Sequence, residues 1–452
     1  MSRRLRTGVS GLVAPHAGVT PAQAENFRAL YLEAAWWGLA LGLYQSYLSV
    51  FATRLGASNF WIGMLSAGPA LVNIFWLIPA ARVVSRQQRQ MPLINWSGFV
   101  WRLFILFQLL ASWLVLTHPG EALVLLVVAE AIPGGLINLA YTAALPDAVG
   151  LRMIGPVTSM RDAIRSVCKT AGTLISIPIL ARVAFPLNYQ VSFALAFATS
   201  QLGTLAMSRM RLPDRLPVPR RAAASPWASL SRKVVAAAWR EQPAYSWFLV
   251  AAVVFHWGMY MGIPLFPIVW VRELQLSDAW IGTMSTVFNL AGIGAALAAP
   301  RLLAAWGSAG LLVVSGVALC LYPLGTALAR SPLPLLPISV LGGVFSSLLN
   351  IGLFSRLIET APADNRVGHA GLYNAVINVA IFAAPMASTT LASRWGLAPV
   401  LFAATGVRIV GGLLFGLSRG GAPADEAPAG PGADGEESPA TIGSRAAEGA
   451  TQ

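Results

Sequence analysis

Charge is what this 452-residue chain has least of: 11% of its residues are Asp, Glu, Lys or Arg, against 56% that are hydrophobic. A soluble domain of this length needs far more polar surface, so the composition excludes a water-exposed globule and points to a chain that crosses a membrane many times. Cysteine is nearly absent. Cys168 and Cys320 both fall in apolar runs, which excludes a disulfide framework. The four histidines, His16, His118, His256 and His369, are scattered without ligand spacing, so no metal site and no cofactor is expected. Acidic residues number 18 against 31 basic ones, a net charge of +13. That excess does not indicate a nucleic-acid partner, because Arg recurs singly or in small groups between apolar runs and forms no basic face. No Gly-x-x-x-x-Gly-Lys-Ser/Thr loop occurs, which argues against direct use of ATP.

What the sequence does have is a repeat. Leu-x-x-Ser-x-x-Trp-Ile-Gly-x-x-Ser occurs at Leu55, Ser58, Trp61, Ile62, Gly63, Ser66 and again at Leu274, Ser277, Trp280, Ile281, Gly282, Ser285, and the register holds to Ala80 and Arg82 against Ala299 and Arg301. Each copy reads as a helix entering a membrane. Ser, or the following Asn59 or Asp278, caps the first turn, Trp lies at headgroup level, and an apolar run ends in Arg. Self-similarity over a whole span implies a repeated architecture.

The apolar runs predict spans near 29–51, 60–80, 93–116, 121–145, 160–181 and 189–208, and then near 245–271, 280–299, 310–328, 335–358, 371–391 and 397–417. Six spans precede a Pro- and Arg-rich polar stretch and six follow it. The expected organisation is an N-terminal segment 1–26, a first bundle 27–208, a basic linker 209–242, a second bundle 243–418 and a disordered tail 419–452 rich in Gly, Ala, Pro, Ser and acid. No cleavable leader is read in the first 25 residues, so the first span itself directs insertion. Segments that would be cytoplasmic, if the N-terminus is, hold Arg82, Arg86, Arg89 and the linker's eight basic residues; the opposite loops keep only Arg54, Arg182, Arg272, Arg330 and Arg394. This bias predicts both termini inside.

Polar residues within the spans are candidate binding or coupling groups, because ionisable side chains in hydrocarbon are costly. They include Glu33 and Gln45 in the first span, Arg102 in the third, Glu130 and Asn138 around the Pro133-Gly134-Gly135 break in the fourth, Lys169 in the fifth, His256 in the seventh and Asn350 in the tenth. Glu33 also fits interfacial water, His256 a packing role, and the Asn residues bonds between helices. On the fifth span Arg161, Arg165 and Lys169 recur every four residues and so share a face, which predicts that Arg165 and Lys169 meet Glu33 or a cavity. Counting about 1.5 Å per residue from the predicted span ends puts Arg102 and Glu130 at one depth, which predicts an ion pair.

Two six-helix halves, a basic linker and a repeated second helix resemble the major facilitator superfamily of transporters over about 27–417. The loop 79–89 keeps that family's basic character but not its Asp and glycines, and Gly172 with the isolated Pro178 does not match its drug antiporters. The resemblance implies an all-α membrane protein of twelve helices in two pseudo-symmetric six-helix bundles. It implies a monomeric secondary transporter in the cytoplasmic membrane, with a small-molecule substrate bound between the halves, alternating access, and protons as a candidate driving ion. It also implies that the first, fourth, seventh and tenth helices line the cavity. A sensor that kept the fold and lost transport, or a lipid-modifying enzyme, are the alternatives; no clustered His, Asp or Ser favours the enzyme.

Overall fold

In the computed structural model, residues 20–115, 117–150, 153–213, 242–361 and 366–419 are described. Most of the N-terminal segment, of the linker and of the tail lies outside these residues. The described chain is helical throughout. In order, the helices are α1 Pro21–Leu43, α2 Leu48–Arg54, α3 Asn59–Arg86, α4 Gln90–Leu114, α5 Pro119–Val149, α6 Ile154–Arg182 and α7 Leu187–Met207. After the linker come α8 Pro243–Gly262, α9 Leu265–Ile268 with a π turn Val269–Glu273, α10 Asp278–Ala318, α11 Leu321–Leu328, α12 Leu335–Thr360, α13 Arg366–Trp395 and α14 Leu397–Leu414. Nine helical stretches among the described residues are long and apolar enough to cross a membrane. α1 and α7 are not among them: α1 carries Glu25, Arg28 and Glu33, and α7 carries Asn188, Gln190, Gln201 and several hydroxyls.

Local signals set the helix ends. Thr20 and Gln23 form a reciprocal capping box, followed by Pro21 in the first turn, and this starts α1 eight residues ahead of the predicted span. The first span does not continue to Phe51 as one helix. It breaks at residues 44–47 and resumes as α2. Of the two repeated serines, Ser277 caps α10 by accepting from the Trp280 amide, whereas the Ser58 hydroxyl makes no capping bond to α3.

The second copy of the repeat opens a stretch in which two predicted spans are joined. α10 runs 41 residues, about 60 Å at the usual rise and twice an apolar bilayer core. Its one non-helical residue is Gly307, at φ 66° and ψ 171°, a conformation that glycine alone adopts without strain. The chain reverses there. Before Gly307 it runs parallel to α12, with Phe288 against Gly343 and Gly292 near Ser347. After it the direction is opposite: Ser308 bonds Glu359, Leu312 packs on Gly352, Tyr322 on Gly342, and Gly325 on Ile338.

Glycine governs how closely these helices approach. Gly38 and Gly42, one turn apart on α1, face Gly172 and the backbone of α6, and a methyl group on Gly42 would overlap the Lys169 carbonyl. This is small-residue packing, which lets backbones meet where lipid offers no hydrophobic gain for larger side chains. Separate buried clusters lie within residues 27–210 and within 245–415, and a third joins the early and late helices around Tyr47, Phe51, Phe266 and Ile281. Contacts between early and late helices run through α3 with α13, α6 with α10, and α2 with α9 and the π turn.

Gly42→Val should destabilise the protein by about 1–3 kcal/mol through backbone overlap, read as a lowered thermal midpoint in detergent. Gly294→Ala is the control, because a methyl there meets nothing within 4 Å, and it should be neutral or stabilising.

Candidate functional site

The charges of the first half converge on one carboxylate. Glu33 of α1, 3% exposed, accepts from Arg102 Nη2 of α4 at 2.9 Å through one oxygen and from Arg161 Nη2 of α6 at 2.8 Å through the other. Arg102, 1% exposed, also donates to Thr204 Oγ1 of α7 at 2.9 Å and lies over the Trp37 ring, while Arg161 lies over Tyr141. Two cations around one anion leave the cluster a net positive charge, which the two ring faces partly offset.

This arrangement overturns the expected Arg102–Glu130 pair. Glu130 instead accepts from Gln108 Nε2 at 2.6 Å, and Arg102 turns to Glu33. The depth was nearly right, since Trp101 packs on Gly134 and Gly98 on Ile137, which puts Arg102 about one turn from the level of Glu130. Rotation decides the outcome. Six residues separate Arg102 from Gln108, about 120° around the α4 axis, so the two side chains leave on different faces. For α6 the expected partner of Glu33 is corrected. Arg161 is the member of the ladder that reaches Glu33; Arg165 pairs with Asp162 at 2.8 Å. Lys169 makes no hydrogen bond or ion pair among the described residues, and its place on the helix is opposite the exposed Val167.

Glu130 and Asn138 line a cavity of about 250 Å³ between α3, α4 and α5, to which α13 adds Asn378. α5 continues unbroken through Pro133-Gly134-Gly135, contrary to the expected loosening. The glycines make room instead: Trp101 packs against Gly134, and Asn73 Oδ1 and Trp76 against Gly135. Asn73 Oδ1 is buried with no hydrogen-bond partner among the described residues, an acceptor left unpaired at the cavity wall. Asn73, Trp101 and Asn378 are therefore wall residues that pattern reading did not select. Their only signal was an amide or indole inside an apolar helix.

The remaining candidates lie elsewhere. Gln45 is exposed in the break after α1. His256 is buried, its Nδ1 2.7 Å from the Ala252 carbonyl on its own helix and its ring stacked near Tyr260, which fits packing. Asn350 is exposed and donates to Ser346 O at 2.9 Å. None of the three touches the cavity containing Glu130.

A second polar constellation joins the halves. Asp278, at the head of α10, accepts from Arg54 at 2.5 Å and Tyr189 at 2.6 Å, with Asn188 at 3.4 Å. Arg54 also donates to Leu276 O at 2.6 Å. Across from it, Arg272 donates to Asn59 Oδ1 at 2.8 Å and Ala57 O at 2.5 Å. Asn59 and Asp278 occupy the same position of the repeat, so each copy is gripped by an Arg from the other half. Among the described residues, every hydrogen bond between residues before and after the linker belongs to this constellation.

The family profile described as Major Facilitator Superfamily matches residues 248–447. Among solved structures, the chain is similar to the nucleoside transporter NupG, with a TM-score of 0.60 and 14% identity over 88% of this chain and 98% of that one. It is also similar to a bacterial homolog of the human lysosomal transporter Spinster, with 0.62 and 11% over 89% and 98%. A POT family transporter in complex with 5-aminolevulinic acid gives 0.64 and 12% over 86% and 94%. At such identities the likeness establishes the fold. No curated protein matches the sequence. The Major Facilitator Superfamily profile thus matches the second half of the chain, and the fold is shared with these solved transporters along most of its length.

Proposed function

We propose that this chain is a secondary active transporter that carries a small solute by alternating access, with proton exchange at Glu130. The observation that carries the reading is the distribution of polar contacts between the halves. Among the described residues, hydrogen bonds between the halves lie at the end holding Arg54, Asn59, Arg272 and Asp278, while the cavity of Glu130, Asn138 and Asn378 lies deeper between α3, α5 and α13. A solute held there is shut off from one side by bonds that must break to release it on that side. Counting α1 with α2 as one pass and the two arms of α10 with α11 as two gives twelve passes in two sets of six, with both termini at the same end. The excess of Arg in the loops at that end supports a cytoplasmic location in the plasma membrane for both termini.

Coupling falls to Glu130 by elimination of Glu33. Two guanidiniums hold the Glu33 charge, and exchanging its proton would strand them. Glu130 has an amide neighbour, Gln108, and no cation bonded to it, so a proton can come and go without breaking an ion pair.

Three outcomes are expected. In proteoliposomes Glu130→Gln retains solute exchange but loses accumulation driven by a pH gradient; normal accumulation would remove Glu130 from coupling. Asp278→Asn loosens the closed end, at a cost of about 1–3 kcal/mol for charge-assisted bonds lost. A cysteine replacing Ala57, now fully buried, should then react faster with an impermeant maleimide in the Asp278→Asn background, and an unchanged rate would mean the contact is not a gate. A cysteine replacing Gln87 should react only after permeabilisation of the cells, and labelling in intact cells would reverse the orientation.

A further inference from the structure

At the end of the bundle opposite the Arg54–Asp278 contact, a pocket of about 310 Å³ opens between the first turns of α1 and the end of α7. We propose that it binds an anionic phospholipid, with the phosphate on Arg28 and Arg209 and the acyl chains along α7. Three guanidiniums line it, Arg28, Arg209 and Arg211, against one carboxylate, Glu25. Glu25 pairs with Arg211 at 3.3 Å. The side chains of Arg28 and Arg209 make no hydrogen bond or ion pair among the described residues, so two guanidiniums face the pocket without a bonded counter-charge. Guanidinium donors in a planar fork match phosphate oxygens.

The pocket is held in shape. Asn26, buried beneath it, donates to Ala148 O at 2.9 Å and Arg211 O at 3.0 Å and accepts from the Arg211 amide at 2.8 Å. This fixes the segment after α7 against α1 and keeps Arg209 beside Arg28. The remaining wall is apolar, with Leu32 and Ala206. Next to Ala206, Leu205 is 60% exposed, and Leu202, one turn away on the same face, is 42% exposed. Two guanidiniums at the mouth with two exposed leucines beside them on α7 fit a lipid and not a free phosphate, which would gain nothing from the leucines. Basic pockets between membrane helices at the cytoplasmic side recognise anionic headgroups by the same combination.

The test titrates dioleoyl phosphatidylglycerol, dioleoyl phosphatidylcholine, glycerol 1-phosphate and inorganic phosphate onto the full chain, delipidated in neutral detergent, reading adducts by native mass spectrometry and the thermal midpoint. Phosphatidylglycerol should bind at least fivefold more tightly than phosphatidylcholine and raise the midpoint, an advantage that salt should shrink. Arg28→Gln with Arg209→Gln should weaken phosphatidylglycerol about twenty-five-fold, about fivefold per basic residue, and leave phosphatidylcholine unchanged. Arg28→Lys with Arg209→Lys should retain most of the binding. If the double variant does not fold, Arg28→Gln alone, on the exposed side of α1, should still cost about fivefold. Equal affinity for the two lipids, or variants that bind phosphatidylglycerol like the wild type, would overturn the proposal. Stabilisation by inorganic phosphate or glycerol 1-phosphate equal to that by phosphatidylglycerol would identify a free-phosphate site and overturn it equally.

Discussion

A carboxylate in hydrocarbon cannot stay charged without partners, and Glu33 meets that constraint by drawing two guanidiniums from different helices. The packing of the first half follows from it. Arg102 brings α4 to α1 and reaches on to Thr204 of α7; Arg161 brings α6, and its ring contact with Tyr141 adds α5. Arg161 can reach Glu33 only because Gly38, Gly42 and Gly172 let the backbones of α1 and α6 meet. The close approach and the ion cluster are thus one feature. A larger residue at Gly42 would separate the helices and weaken the pairing as well as the packing.

The second half is held differently. Its deepest cation, Arg408 of α14, has no acidic partner among the described residues and donates to the Met259 carbonyl near the end of α8 at 3.0 Å. Order there rests on glycine contacts, Gly258 and Gly411 between α8 and α14 and Gly292 and Gly343 between α10 and α12, and near one end on Glu359 of α12, which accepts from Ser308 and from Arg356, itself bonded to Ser418. The two halves share a repeat in sequence and close glycine contacts, but only the first has a carboxylate held by two guanidiniums from different helices among the described residues. In the proposed cycle the first half would move as the stiffer body, since an ion cluster with defined geometry resists shear more than apolar surfaces do.

Helix positions were legible in the sequence because an apolar run long enough to cross a bilayer leaves little choice about where a span lies. What each span does with its polar residues was much less so. Depth can be counted from a span end, and for Arg102 and Glu130 the count came within about a turn. The rotation of a helix cannot be counted, because it is set by partners elsewhere in the chain; Gly38 and Gly172 set it for α1 and α6. The cavity wall was hidden for a related reason. Asn73, Trp101 and Asn378 come from three helices and share no spacing, so only packing brings them together. The repeat was visible at once, but its role was not. It reads as a common way of entering a membrane, and its contact with an Arg from the opposite half appears only when the two copies face each other.

Those facing copies are not equivalent, and the difference suits a contact that opens in the proposed cycle. At matching positions one copy has Asn59 and the other Asp278, while the arginines that grip them, Arg272 and Arg54, are one residue out of register with the repeat. One contact is therefore an ion pair reinforced by Tyr189 and Asn188, and the other a neutral amide held by a partly exposed guanidinium. Both lie at helix ends, where water can replace a broken bond, so parting them costs the modest net energy of charge-assisted hydrogen bonds at an interface. The Glu33 cluster has no such replacement, and breaking it would leave charges buried in hydrocarbon. Depth in the membrane thus sorts the charges of this chain into two kinds. In the proposed cycle those in the core would hold helices together throughout, and those at the rim would be cheap enough to exchange with water each time the end opens.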